Sequence, residues 1–144
     1  MKRELVGSMV FDTGTLLEML FSTPNGIKIR EALKAGSLSA RICELTVAET
    51  RYVLCRRLGE EEARTRISNL LNSGYAIVHP DSELIEYAAE YKCRRHLSLA
   101  DCFSIALARK VATPVLFSRR EKELVEEMSK KPFDVDILFL DDVL

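Results

Sequence analysis

The chain has 144 residues, enough for one domain built on one core, and residues 1–144 are read as that single domain. Hydrophobic residues make up 47% and charged ones 30%, an ordinary globular balance, and a formal net charge of −1 argues against a nucleic-acid binder that works through overall positive charge. No apolar run approaches the ~20 residues needed to span a bilayer, and the stretch after Lys2 and Arg3 is broken by Asp12 and Glu18, so a signal peptide is rejected and a cytoplasmic location expected.

Short β-branched runs alternate with longer helical patterns, without internal repeats or low-complexity segments. Residues 8–11 read as a short buried strand ending in Val10 and Phe11. A helix over 16–21 is stopped by Ser22, Thr23, Pro24, Asn25 and Gly26, and a second over 27–35 is closed by Gly36. Residues 39–43 suit a second strand. The helix over 46–58 ends at Gly59, and the next, 60–72, ends near Gly74. In the latter, Glu60 with Arg64 and Glu62 with Arg66 have the spacing of ion pairs on a solvated helix face. Residues 75–79 form a third expected strand. Asp81 should cap a helix running to about Arg94, and Ser98 should open another to about Lys110. Residues 114–117 are continuously apolar and read as a strand buried on both faces. A charged helix over 119–130 and a last strand over 135–140 complete the pattern.

Alternating strands and helices predict an α/β fold, a mostly parallel five-stranded sheet with helices on both faces in three layers. Ligands in such sheets bind beyond the carboxyl ends of the strands. The cysteines Cys43, Cys55, Cys93 and Cys102 form no CxxC pair, and only His79 and His96 accompany them, so zinc spacing is absent. The thiols are expected to be structural, and both histidines structural or superficial.

Four acids fall just after expected strands or at expected helix starts: Asp12, Glu49, Asp101 and Glu121. Each has a local explanation. Asp12 can cap the next helix, and Thr46 with Glu49, Ser118 with Glu121, and more loosely Ser98 with Asp101, have capping-box spacing. Their joint position at one sheet edge is harder to explain by capping. Converging carboxylates repel, and Mg²⁺ or Mn²⁺, which prefers oxygen ligands, relieves the repulsion. Such an ion suits hydrolysis of a phosphodiester by an activated water.

Val10-Phe11-Asp12-Thr13, then Leu45-Thr46-Val47-Ala48-Glu49, then Leu97-Ser98-Leu99-Ala100-Asp101-Cys102 with its small and apolar continuation, together resemble the PIN-domain family over nearly the whole chain. That resemblance implies a metal-dependent endoribonuclease, as in the toxins of toxin–antitoxin pairs. It implies Asp12, Glu49 and Asp101 as ligands of Mg²⁺ or Mn²⁺, and RNA as substrate. It further implies a small antitoxin partner and a homodimer, to which the helices over 27–35 and 60–72 could contribute, although most of their apolar positions are expected in the core. Thr13 and Ser118 would orient the site, and Arg119 and Arg120 would meet phosphate, ahead of Arg41, Arg51, Arg56, Arg57, Arg94 and Arg95. After the fourth strand the family shows Thr, a variable residue and Asp, where this chain has Ser118, Arg119 and Arg120. Aligning on Leu124 instead puts Glu121 at the acid position, and Arg120 would then neutralise part of the pocket or contact RNA.

A binding or scaffold protein on the same fold, with weak or lost nuclease activity, is the main alternative. Phe11-Asp12-Thr13-Gly14-Thr15 also resembles the first motif of haloacid-dehalogenase-like phosphatases, but the second Asp and a cap domain are lacking. A receiver-like phosphoacceptor fits less well, since paired acids at the end of the first strand are absent.

Overall fold

The computed structural model describes residues 4–144. Met1, Lys2 and Arg3, weighed above as the start of a leader, lie outside the described residues. The chain alternates as expected: β1 Gly7–Phe11, α1 Thr13–Leu20, α2 Pro24–Lys34, β2 Leu38–Cys43, α3 Glu44–Leu58, α4 Glu60–Ser73 and β3 Ala76–His79. A single 3₁₀ turn, Asp81–Glu83, leads to α5 Ile85–Arg94, α6 Leu99–Val111, β4 Val115–Phe117, α7 Lys122–Lys130, β5 Ile137–Phe139 and α8 Leu140–Val143.

The five strands form one sheet in the order β3-β2-β1-β4-β5, with every pairing parallel. Alternate residues of β1, β2, β4 and β5 feed two cores. Met9 and Phe11 of β1 and Leu116 of β4 pack with Leu16, Ile29 and Leu33 from α1 and α2. Val10, Val115 and Phe117 face the other way, onto Leu84, Tyr91, Ile105, Leu107 and Leu124. β4 is buried on both faces, as its continuous apolar run predicts. Ile29, Leu33, Ala63, Ile67 and Leu70 are all buried, so the main apolar positions of α2 and α4 serve the core.

Several element boundaries differ from expectation, those of α2 and α3 for a capping reason. α2 begins at Pro24 because Thr23 Oγ1 accepts the Gly26 N–H at 3.0 Å and proline suits the first helical position, so the expected turn is a helix start. α3 begins at Glu44, ahead of Thr46, because its cap comes from a distant segment. Asp81 Oδ1 accepts the Leu45 N–H at 3.2 Å, and Glu44 Oε1 accepts the Asp81 N–H at 2.9 Å. Asp81 therefore caps α3, while α5 starts only at Ile85. α7 starts at Lys122 rather than Arg119, with Glu121 at its N-cap. The expected strand over 135–140 is shorter, and Leu140 opens α8.

The last turn of α1 has no basic residue, yet two arginines reach it from outside. Arg30 donates to the Met19 carbonyl at 2.6 Å and Arg66 to the Leu20 carbonyl at 2.7 Å. The Glu62–Arg66 pair forms at 2.9 Å. All four cysteines are free, with Cys43 and Cys102 buried.

α1 and α2 approach so closely that a Cβ at Gly26 would lie 1.8 Å from the Glu18 carbonyl oxygen. Gly26→Ala is expected to cost about 1–3 kcal/mol through overpacking, read as a lower urea midpoint at unchanged slope. A midpoint equal to that of the parent would show that the two helices separate without cost.

Candidate active site

The chain builds outward from β1 to β2 and β3 on one side, then returns to place β4 and β5 on the other. The order reverses between β1 and β4, and the crevice beyond their carboxyl ends is where such sheets bind ligands. Asp12 directly follows β1 and Ser118 directly follows β4, so both open onto that crevice.

A pocket of about 320 Å³ lies there, and Asp12, Glu49, Asp101 and Glu121 all line it, with Thr13, Ser118 and Arg119. Asp12 is nearly buried. Its Oδ1 accepts the Thr15 N–H at 2.8 Å as the N-cap of α1, so one carboxylate both caps a helix and walls the pocket. Thr15 Oγ1 donates to the Leu116 carbonyl at 2.9 Å, tying the first turn of α1 to β4. Glu49, on α3, accepts a hydrogen bond from Thr13 Oγ1. Asp101 stands in the first turn of α6, where its N–H donates to Ser98 Oγ at 3.1 Å. Glu121 makes no side-chain capping bond to α7, leaving its carboxylate to the pocket.

Arg120, placed by the sequence reading beside Arg119, is not among the lining residues; its guanidinium lies on Asp141 and Asp142 of α8. Other candidate arginines are engaged elsewhere: Arg41 with Ser8 and His79, Arg95 with the carbonyls of Glu127, Lys131 and Pro132. Among the described residues, no three His, Cys, Asp or Glu side chains are gathered tightly enough to hold a metal ion. The acids share a wall, not a closed cage.

The PIN domain profile matches residues 9–126, most of the chain. The chain belongs to the PIN-domain family. Solved structures share the fold. VapC20 of Mycobacterium tuberculosis, a sarcin–ricin loop cleaving toxin, superposes with a TM-score of 0.61 at 19% identity, covering 74% of this chain and 86% of that one. VapBC2 of Rickettsia felis, bound to a DNA fragment from its promoter, gives 0.70 at 11% identity, over 92% and 98%. A toxin–antitoxin complex from Klebsiella pneumoniae gives 0.58 at 21% identity, over 81% and 89%. No curated protein sequence matches the chain.

The PIN-domain pocket also includes Gly14, Leu17, Tyr52, Val53, Ala100 and Ser104, which sequence reasoning missed. Helical spacing holds the signal: Tyr52 and Val53 lie three and four residues beyond Glu49, and Ser104 lies three beyond Asp101. Gly14 leaves no such trace. A Cβ there would stand 2.1 Å from Ser118 Oγ and 3.4 Å from Asp12 Oδ2, so a larger residue would have to displace the Ser118 side chain that packs against α1.

Burial is the main force on Asp12 and lifts its pKa from 3.8 to about 6; the charge of Glu121 adds to this, while hydrogen bonds from Thr15 and the Ser118 N–H oppose it. Asp101 rises further, to about 7, through burial first, then the charges of Glu121, Asp12 and Glu49, against the Ser98 hydrogen bond. Both folded-state values lie above the unfolded one. As pH rises from about 4 to about 7, the unfolded chain releases these protons while the folded chain retains them, so folding stability falls. With chelator present, Asp101→Asn is expected to melt higher than the parent, by a margin that widens across that window. A margin independent of pH would show that Asp101 is not held in its neutral form.

Proposed function

We propose that this PIN-domain chain is a Mg²⁺- or Mn²⁺-dependent endoribonuclease, the toxin of a toxin–antitoxin pair. The observation that carries this reading is the convergence of Asp12, Glu49, Asp101 and Glu121 on one pocket at the reversal point of the sheet. The donor set fits a hard divalent cation, since every candidate ligand is an oxygen. Two of the acids are held well above the usual carboxylate range, first by burial and then by neighbouring charge, that of Glu121 on both and that of Asp12 on Asp101, and a cation relieves the repulsion. Asp12, Asp101 and Glu49 would hold it, directly or through water, with Glu121 in the place of the family's fourth acid.

The bound ion supplies a water of lowered pKa and charge stabilisation at the phosphate. The chain's own residues supply the rest. Thr13 turns Glu49 toward the pocket, and Ser98 fixes the first turn of α6 under Asp101. Arg119, at the wall, offers a two-pronged guanidinium to a non-bridging phosphate pair of the RNA backbone. Ser118 closes over Gly14 and holds the β4–α7 loop beside Asp12.

A groove of about 730 Å³ between α3 and α4, lined by Val47, Ala48, Tyr52, Ala63, Ile67 and Leu71, adjoins the pocket through the shared Tyr52. Its apolar walls suit the apolar face of an antitoxin helix. The VapBC2 and Klebsiella pneumoniae assemblies named above pair toxins with antitoxins, which supports such a partner here. A second copy of the chain and a cytoplasmic site of action complete the reading; no helix among the described residues is long and apolar enough to cross a membrane. The competing reading, a PIN scaffold that binds without cutting, has in its favour that the acids line a wall instead of a closed cage.

The deciding experiment is cleavage of a panel of structured RNAs with Mn²⁺, Mg²⁺ or EDTA. Wild type should cut only with metal, and Asp12→Asn or Asp101→Asn should reduce cutting roughly hundredfold or more, the scale of losing one charge-stabilising group in a preorganised site. Folded wild type that cuts nothing at high enzyme and metal concentration would sink the nuclease reading and favour the scaffold.

A further inference from the structure

Arg119 and Glu121 line the acidic pocket, but Arg120 between them does not. The backbone explains this. The Glu121 N–H donates to the Arg119 carbonyl at 3.0 Å, closing a three-residue turn with Arg120 at its apex. Arg119 and Glu121 flank that apex and line the pocket, while the Arg120 side chain reaches α8. The Arg120 guanidinium meets Asp141 at 3.2 Å and also hydrogen bonds Asp142, both on α8. Asp142 is itself anchored, since its Oδ2 accepts the Phe139 N–H at 3.0 Å. The guanidinium carbon also lies 4.5 Å from the centre of the Phe139 ring, a cation–π distance. That ring packs on Phe117, the last residue of β4, with centroids 6.3 Å apart. Phe117, the loop, Arg120 and Phe139 thus form a closed circuit.

We propose that Arg120 is a positioning residue: by fastening the apex of the β4–α7 turn to α8, it sets where Glu121 stands in the pocket and so sets the affinity of the pocket for a divalent cation. This rests on the metal-binding reading above. Exposed ion pairs add little to global stability, so the effect of the clamp falls on the placement of the loop.

Two physical accounts predict opposite signs. If Arg120 acted only through its charge, Arg120→Ala would remove a cation near a cation site and tighten Mn²⁺ binding. If it positions Glu121, the same change weakens binding. The test is Mn²⁺ titration, followed by the electron paramagnetic resonance signal of the free ion, on wild type, Arg120→Ala, Glu121→Gln and the double variant, with the metal-free melting temperature of each. Arg120→Ala is expected to weaken binding roughly tenfold, the scale of losing an outer-shell partner of a ligand, with little change in melting temperature. The double variant should bind no more weakly than Glu121→Gln alone, because Arg120 acts through Glu121. Unchanged or tighter binding in Arg120→Ala overturns the inference, as does additive weakening in the double variant. Should Arg120→Ala fail to fold, Arg120→Lys keeps the charge but loses the fork, and is expected to weaken binding in the same direction. Wild type that binds no Mn²⁺ overturns the metal reading and takes this inference with it, whereas binding in wild type that Arg120→Ala leaves unchanged overturns this inference alone.

Discussion

Four carboxylates facing one pocket repel one another, and the rest of the fold holds them there against that repulsion. The cost is visible in Asp12 and Asp101, both pushed toward their neutral forms by burial and by neighbouring charge. What holds them is a set of short local restraints. Asp12 is committed through Oδ1 to the first turn of α1, Glu49 is held by Thr13, and Asp101 rides on a turn capped by Ser98. Each restraint fixes a helix start and an acid together. Capping and site formation, which compete as explanations of the sequence, are the same contact in the structure at Asp12.

The same economy recurs where helix ends are stabilised from outside. α3 has no side-chain cap of its own; in its place Asp81 accepts the Leu45 N–H and Glu44 accepts the Asp81 N–H. The last carbonyls of α1 are met by Arg30 from α2 and Arg66 from α4. Charged groups that a sequence scan assigns to solvated faces are in these cases the links between elements. Arg120 belongs with them: its charge is met by Asp141 and Asp142 on α8.

Much of this was legible in the sequence because it rests on periodicity. The short buried run of β1 and the unbroken apolar run of β4 pointed to strands, and the order of strands and helices to a parallel sheet with its crevice at the strand ends. Asp12, Glu49, Asp101 and Glu121 were placed at that edge by the same rule, with the PIN resemblance adding their roles. The starts of α2 and α3 were misread for different reasons. Thr23 and Pro24 form a turn and a helix start with the same residues, and the choice is made by packing of α2 on α1. The cap of α3 comes from a residue 36 positions away, which no local window contains. The apex geometry at Arg120 and the closeness of Gly14 to Ser118 depend on backbone approach between distant segments and leave no periodic trace.

No two of the four pocket acids are carried by the same helix. Asp12 belongs to the start of α1, Glu49 to α3, Asp101 to α6 and Glu121 to the start of α7. A site built on one helix keeps its ligand spacing whenever that helix forms, even in a fragment. Here the spacing exists only when both faces of the sheet are packed, because α1 covers one face and α6 the other. The pocket is therefore no more durable than its weakest support: fraying of the start of α1, α6 or α7, or a shift of α3, dismantles it while most of the secondary structure still stands.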